Sequence, residues 1–402
     1  MTDSEHHSIS VSLNGSHAGV TAVPQSFSVT AARREVTYDA LIMDAKLRQS
    51  LVSVRSLGRR GKRVAALEIA SLLETSRQVP TFSSRWCQQS YIAPAFEQEQ
   101  GAFLTYLKQF LSSTGARVLI TSADGTLEVL REHREEIERH GTRIAIGKEA
   151  ALKAAINKEL TLEIAANLGL NVPRGVPVRS VDEVAEAVRE IGLPAVIKPV
   201  ESWLWGEQQG VRLICALVAT PDEARRAVEE LTSQGGTTLY QQFLPGRREA
   251  VSLLYARGEI YARFAQWAAR TQPPLGGTSV YRQSIPVPYD IGEQAERLVR
   301  EIELEGYAEV EFRRDAAGRP YLMEINPRLS ASVEVAVRSG VDFPYLLYQW
   351  ANGEQIERVE GYQTGKWMRY LEGDLLTTYQ CFKQRGRPGV TPPGRALLDF
   401  AA

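Results

Sequence analysis

The chain has 402 residues with 47 basic and 48 acidic side chains, and a formal net charge of −1 leaves no basic footprint for nucleic acid. No apolar run reaches the roughly 18 residues that a membrane span needs, and no basic start followed by an apolar core marks a secretory leader. Three widely separated cysteines (Cys87, Cys215, Cys381) fit a reducing cytoplasm, and the absence of any histidine after Gly141 excludes imidazole chemistry from the second half.

Residues 1–35 are rich in Ser, His, Thr and Gly without a period and read as a disordered tail. Ordered structure is expected from Tyr38. Ala40-Leu-Ile-Met43 reads as a buried strand, 46–60 as a helix ended by Gly61, and 63–67 as the next strand. This is a βαβ unit, which implies parallel pairing. A helix over 101–112 leads into the strand 117–121, and Ser122-Ala-Asp-Gly125 follows at its carboxyl end. Ligands of open α/β sheets bind outside the carboxyl ends of strands. That loop and Ala45-Lys46 are therefore candidates to line a crevice. No G-x-G-x-x-G follows a strand here, so no dinucleotide is inferred.

A helix is expected over 147–169, with one apolar stripe of Ala151, Ala155 and Ile156 and another of Leu160, Ile164 and Leu168. An amphipathic helix over 181–191 precedes the strand Pro194-Ala-Val-Ile-Lys-Pro199. A lysine on an otherwise apolar strand needs a counter-charge, and bound phosphate would supply one to Lys198. The segment 201–210, ESWLWGEQQG, carries two tryptophans, Trp203 and Trp205, which either face a substrate or pack on a neighbouring surface. A strand runs into a turn over 238–246, a hairpin over 250–263 turns at Gly258, a strand covers 279–284, and a helix covers 291–303.

The stretch 308–332 then reads as two strands, AEVEFRR and RPYLMEIN, joined by the turn Asp315-Ala-Ala-Gly318. Strand alternation puts Glu309 and Glu311 on one face, and Leu322, Glu324 and Asn326 on one face of the second strand. A register that opposes Glu311 to Glu324 also opposes Glu309 to Asn326. Carboxylates that close require a cation between them, and oxygen ligands that include a carboxamide suit a hard ion such as Mg²⁺. Arg328, two residues beyond Asn326, is expected to point at an anion on the same metal, which is equipment for a phosphate chain. Helices follow over 333–339, closed by Gly340, and over 342–353. Residues 355–402 are loop-rich and are expected to pack back on the core.

The sequence E-x-F…M-E-I-N-P-R resembles the metal-binding end of the ATP-grasp superfamily, the fold of D-alanine ligase, biotin carboxylase and the carbamoyl phosphate synthase ATP-grasp domains. The resemblance implies an α/β chain: a disordered tail (1–35), an N-terminal open parallel-sheet pre-ATP-grasp domain (36–146), a two-lobed α+β ATP-grasp domain (147–354) hinged near 241–246, and a C-terminal extension (355–402). By it, Glu311, Glu324 and Asn326 hold Mg²⁺ or Mn²⁺, and Lys158 and Lys198 contact the phosphates of ATP. Gln241, Gln242, Phe243 and Leu244 read adenine at the hinge, and Glu249 takes the ribose. Arg328 and Arg282 stabilise the transferring phosphoryl group, with Arg263 and Arg270 as weaker candidates. The loop 201–210 departs from the glycine-rich pattern that covers phosphates in the family. The implied activity is a cytoplasmic, ADP-forming carboxylate–amine ligase working through an acyl phosphate, with small carboxylate and amine substrates such as amino acids or peptides; composition gives no nucleic-acid or membrane partner, and the oligomeric state is open, a homodimer being the commonest assembly. A non-catalytic MgATP-binding module and an ATP-grasp kinase or carboxylase are the alternatives.

Overall fold

The computed structural model describes residues 37–74, 79–205, 210–233, 235–274 and 276–401. The expected tail over 1–35 and the centre of the tryptophan-bearing loop, 206–209, lie outside the described residues.

The first unit alternates β1 (Ala40–Ile42), α1 (Arg48–Arg59), β2 (Val64–Ile69), α2 (Ala70–Glu74), β3 (Gln89–Ala93), α3 (Gln100–Thr114), β4 (Val118–Ile120), α4 (Asp124–Glu132), α5 (Arg134–Glu138) and β5 (Arg143–Ile144). Its five strands are all parallel, in the order β3-β2-β1-β4-β5. Ala40, Leu41, Ile42, Val118, Leu119 and Ile120 are fully buried, because a parallel sheet covered by helices on both faces needs apolar runs rather than alternation. The strand order reverses between β1 and β4, and the loops leaving these two strands flank that switch point. Asp44, in the left-handed region with φ 56°, ties them together. Its carboxylate accepts from Thr121 Oγ1 (2.8 Å), Ser122 N (2.7 Å), Ala123 N (2.9 Å) and Thr126 Oγ1 (2.5 Å).

The expected single helix over 147–169 is two, α6 (Glu149–Ile156) and α7 (Lys158–Asn167). Asn157 breaks it, with extended backbone and a side chain that accepts from Leu160 N to cap α7. A second unit follows, with β6 (Gly175–Val178), α8 (Val184–Ile191), β7 (Ala195–Pro199), β8 (Trp203–Trp205), β9 (Gly210–Arg212), β10 (Ala216–Val218), α9 (Pro221–Thr232) and β11 (Thr238–Gln242). It forms a four-stranded sheet in the order β10-β7-β11-β6, while β8 and β9 make a separate two-stranded ribbon.

The third unit contains β12 (Arg248–Ala256), β13 (Glu259–Gln272), β14 (Thr278–Ile285), α10 (Tyr289–Glu301), β15 (Gly306–Arg314), β16 (Pro320–Asn326), α11 (Val333–Ser339), α12 (Phe343–Ala351), β17 (Trp367–Arg369), α13 (Leu371–Lys383) and α14 (Pro393–Ala401). Its antiparallel sheet runs β16-β15-β12-β13-β14-β17. One face packs Val251, Leu253, Val310 and Phe312 on α10 through Ile291, Ala295 and Leu298. The other face is apolar at one end, where Leu254, Phe264 and Tyr307 meet α11 and α12, and polar at the other.

The tail of the chain corrects the expectation of loops over 355–402. It supplies strand β17 to the sheet edge and two helices. Helix α13 turns its polar side inward: Asp374 is fully buried between Arg270 Nε (2.9 Å) and Arg369 Nε (3.3 Å), and Arg270 also donates to Thr378 Oγ1 (2.5 Å). Leu371, Leu375, Leu376 and Tyr379 face outward.

Candidate functional site

The polar end of the large sheet carries the acidic hairpin. Glu309 pairs with Asn326 and Glu311 with Glu324, the register set by the Asp315–Gly318 turn. The register then shifts, so that Phe312 faces Leu322 and Met323 is an extra residue. This β-bulge corrects one expectation: Leu322 lies with Phe312 in the core, fully buried, on the face opposite Glu324.

The two opposed carboxylates differ. Arg248, on β12, donates to Glu311 Oε2 through Nε (2.9 Å) and Nη2 (2.5 Å), and Asn326 Nδ2 donates to Oε1 (3.3 Å). Burial, with Glu324 and Glu309 nearby, still pushes the Glu311 carboxyl up to about 7 against the pull of Arg248. Burial also pushes Glu324 upward, but Lys158, Lys198, Arg248 and Arg328 around it prevail and hold it below the ordinary range. Glu309 is turned to neutral donors, accepting from Gln266 Nε2 (2.8 Å) and Ser332 Oγ (3.2 Å).

Two lysines, one from α7 and one from the second unit, close on this surface. Lys158 opens α7, is buried, and donates to Ser202 Oγ (2.9 Å). Lys198 on β7 lies 4.0 Å from Met323 Sδ, and burial lowers its pKa while Cys215 and Glu324 oppose the shift. A small cavity lies between these groups, lined by Asp124, Lys158, Ser202, Trp203, Glu324 and Asn326.

Arg328 departs from expectation. It bonds the carboxylate of Asp124, at the N-terminus of α4, and so joins the hairpin to the parallel-sheet unit. Burial opposes ionisation of Asp124, yet the adjacent Arg328 holds its pKa low. The tryptophans pack on a neighbouring surface. Trp203 and Trp205 sit edge-to-face, 5.8 Å apart, and both meet Phe96 of the first unit, at 5.7 and 6.4 Å. Trp203 is seated between two glycines: a Cβ on Gly125 would lie 2.7 Å from its ring, and one on Gly210 2.3 Å.

At the end of β11, Gln241 is 1% exposed, and its Nε2 meets no acceptor among the described residues. Gln242 Oε1 accepts from Arg174 N (3.1 Å) and Nε (3.2 Å). Phe243 lies under the Arg313 guanidinium at 5.4 Å, and Leu244 is buried. Glu249, expected on a ribose, is out of phase with the site. Residue alternation on β12 puts Arg248 and Ala250 on the Glu311 face, whereas Glu249 is opposed to Phe312. Its carboxylate is held by Arg314 Nε (2.6 Å) and Arg247 Nε (3.2 Å). Arg282 is on the site's face of β14, 2% exposed, and donates to Ser279 O. The weaker candidates lie elsewhere: Arg263 pairs with Glu296 on the surface, and Arg270 with Asp374 under α13. Arg248 was missed. Arg248 could have been found by counting strand phase back from the residue opposite Glu311.

The donor set fits a hard divalent cation. Glu311, Glu324 and Asn326 offer oxygen on one surface, and two carboxylates crowded together are relieved by positive charge between them. Among the described residues no group of three His, Cys, Asp or Glu side chains could hold a metal by itself. The remaining ligands must come from water or phosphate, the usual habit of Mg²⁺. The unsatisfied amide of Gln241 at the opposite side of the cleft fits a heteroaromatic base.

Comparison with known proteins places this geometry. Residues 236–373 match the family model for ATP-grasp in the biosynthetic pathway with Ter operon. The carbamoyl phosphate synthase large chain of Pyrobaculum aerophilum is 27% identical over 236 residues, covering 56% of this chain and 22% of that one. The D-alanine–D-alanine ligase of Geobacter sulfurreducens is 26% identical over 213 residues, covering 48% of this chain and 63% of that one. The aligned region thus spans about a fifth of the former's length (22%) and less than two thirds of the latter's (63%). Among solved structures, the L-amino acid ligase of Bacillus licheniformis superposes with a TM-score of 0.60 at 18% identity, covering 79% of this chain and 75% of that one. Biotin carboxylase of Campylobacter jejuni gives 0.61 at 13% identity, covering 82% and 74%. The acidic hairpin lies inside the stretch that matches the ATP-grasp family model, and the chain has the fold of these ATP-grasp structures.

Proposed function

We propose that the chain is an ADP-forming carboxylate–amine ligase. The observation that carries this reading is the facing of Glu311, Glu324 and Asn326 across one cleft by Lys158 and Lys198, a metal-and-phosphate arrangement with no imidazole in it. In the first step an oxygen of the substrate carboxylate attacks the γ-phosphorus of ATP and ADP leaves. In the second an amine nitrogen attacks the acyl carbon, phosphate departs, and an amide forms. Mg²⁺ on Glu311, Glu324 and Asn326 would neutralise charge on the phosphates. Lys158 and Lys198 hold those phosphates from across the cleft, where their ammonium charge stabilises the transferring group. Gln241, with the backbone of Gln242, Phe243 and Leu244, takes the base. Arg282 takes an anionic group of the substrate. Arg328 acts through Asp124, fixing the crevice of residues 36–146 over the grasp domain of 147–354, which closes about 241–246.

Amino acids are the substrate class named by similar proteins, a D-alanine–D-alanine ligase and an L-amino acid ligase. A reducing cytoplasm and a homodimer complete the reading; Cys87, Cys215 and Cys381 are unpaired. No helix among the described residues is long and apolar enough to cross a membrane. The test is hydroxylamine trapping: protein, MgATP and pooled small carboxylates should give ADP and a hydroxamate identifiable by mass. Glu324→Ala should lose both products while keeping its circular dichroism. Wild-type turnover in that variant would remove the metal assignment, and MgATP binding without ADP from any pool would favour a non-catalytic module.

A further inference from the structure

Helix α13 is built inside out. Its buried residues are Gly373, Asp374, Thr377, Thr378 and Cys381, and Asp374 is fixed beneath it by Arg270 and Arg369. These polar contacts set how the helix is turned, so its large apolar side chains point outward. Leu371, Leu375, Leu376, Tyr379 and Phe382 are 44–57% exposed, and nothing among the described residues covers them. At 3.6 residues per turn they fall in a stripe about 140° wide, the kind of stripe that an amphipathic helix ordinarily buries.

Helix α14, packed against α13, exposes Leu397 (51%) and Leu398 (65%) as well. At roughly 200 Å² for a large side chain, seven residues about half exposed present on the order of 700 Å². The largest apolar patch of a monomer is about 300–600 Å², and a standard interface takes about 800 Å² from each partner. The face is therefore larger than a monomer ordinarily leaves open, and close to one half of a stable dimer interface.

The charges on this face identify its occupant. Among the exposed residues of α13 only Glu372 and Lys383 are charged. They stand about three turns apart at opposite ends of the helix and within about 20° of one another around its axis. The Lys383 ammonium lies 5.1 Å from the centre of the Tyr379 ring, so its charge stays on the apolar stripe. Along the helix the surface reads acid, apolar, base; turned end for end it reads base, apolar, acid. A twofold axis crossing α13 between Thr377 and Thr378 sets Glu372 of each copy against Lys383 of the other, and Leu376 against Tyr379. An isologous interface requires this self-complementarity. A parallel pairing would set like charges together. An anionic lipid surface would call for a rim of lysine and arginine, which Glu372 contradicts.

We propose that α13, flanked by α14, is the contact surface of a homodimer, packed antiparallel on the same helix of a second copy. The inference rests on the homodimer reading above and is independent of the ligase chemistry, which hydroxylamine trapping reports separately.

The test measures the mass of the full chain by sedimentation equilibrium from roughly 1 to 100 µM, because a dimer's population depends on protomer concentration. The chain should sediment at twice its sequence mass. Leu376→Asp combined with Tyr379→Asp puts carboxylates on both sides of the axis and should raise the dissociation constant about a hundredfold or more. Its circular dichroism should not change, because both side chains are exposed. Glu372→Lys and Lys383→Glu should each loosen the dimer several-fold, and the two together should restore it. A wild-type chain that is monomeric at the highest concentration overturns the proposal and the homodimer reading together. Co-sedimentation of that monomer with phosphatidylglycerol vesicles, or dimerisation on removing residues 1–36, would then name a lipid surface or the chain's own N-terminal segment as the occupant. A dimer that persists in the doubly aspartate-substituted chain overturns the face and leaves the homodimer standing. A doubly charge-reversed chain as loose as either single variant overturns the antiparallel pairing.

Discussion

Replacing Asp44 tests how the crevice is assembled. Its carboxylate accepts four hydrogen bonds from the loop after β4 and the first turn of α4, two from rigid backbone N–H groups and two from hydroxyls. In Asp44→Ala the hydroxyls of Thr121 and Thr126 can rotate toward other acceptors, but the amides of Ser122 and Ala123 cannot. A hydrogen bond to a charged group contributes roughly 1.5–3 kcal/mol, so losing the two amide bonds costs about 3–6 kcal/mol. Alanine at φ 56° adds about 1 kcal/mol of backbone strain. Asparagine tolerates that conformation and keeps one acceptor oxygen, so Asp44→Asn should lose only about 1–2 kcal/mol. Urea unfolding, with slopes compared between variants, measures both. If Asp44→Ala costs under about 1 kcal/mol, or the asparagine variant is as unstable as the alanine one, hydrogen-bond acceptance by Asp44 is not what organises the loop.

Two further outcomes are expected. Burial, then the nearby Asp44, raises the Glu68 carboxyl to about 7 from 4.5, so the folded chain binds a proton there more tightly than the unfolded one. Its stabilising contribution is complete below pH 4.5 and disappears as pH rises through 7; the loss is up to roughly 3 kcal/mol, and Glu68→Gln should flatten that slope in urea melts at pH 5 and 8. Asp374→Asn leaves Arg270 buried beside a neutral amide and should cost about 3–5 kcal/mol, seen as early proteolysis of α13 and α14, whereas Arg270→Met combined with Asp374→Leu should recover much of it.

The acidic hairpin was legible because turn chemistry and a two-residue period fix a local register, and both strands lie close in the chain. The break at Asn157 left a trace in the sequence. The two apolar stripes on either side of it belong to two helices with separate axes, and only the cap bond to Leu160 shows where one ends. Helix α13 was illegible because its buried face is polar. Asp374, Thr377 and Thr378 meet Arg270 inside while leucines face out, so no core-facing period exists to be read. The phase of Glu249 and the partner of Arg328 depend on strands and loops far along the chain. Arg248 is opposed to Arg313 across β15, and Asp124 is 204 residues from Arg328. Neither relation has a local signature.

The bulge at Met323 also governs how this stretch can change length. The Asp315–Gly318 turn is exposed at Ala316, Ala317 and Gly318 and lies beyond the last opposed pair, Arg314 and Pro320, so residues can be added there without disturbing the ladder. Deleting the extra residue, Met323, would straighten the ladder and leave Leu322 against Phe312 and Glu324 against Glu311, whereas inserting a residue beside it would oppose Glu324 to Val310 or leave two residues unpaired. Loop-length polymorphism and circular permutation should therefore be tolerated at the turn, loss of Met323 accepted and insertions beside it refused, and a library of single-codon insertions and deletions across 312–328 would trace that boundary.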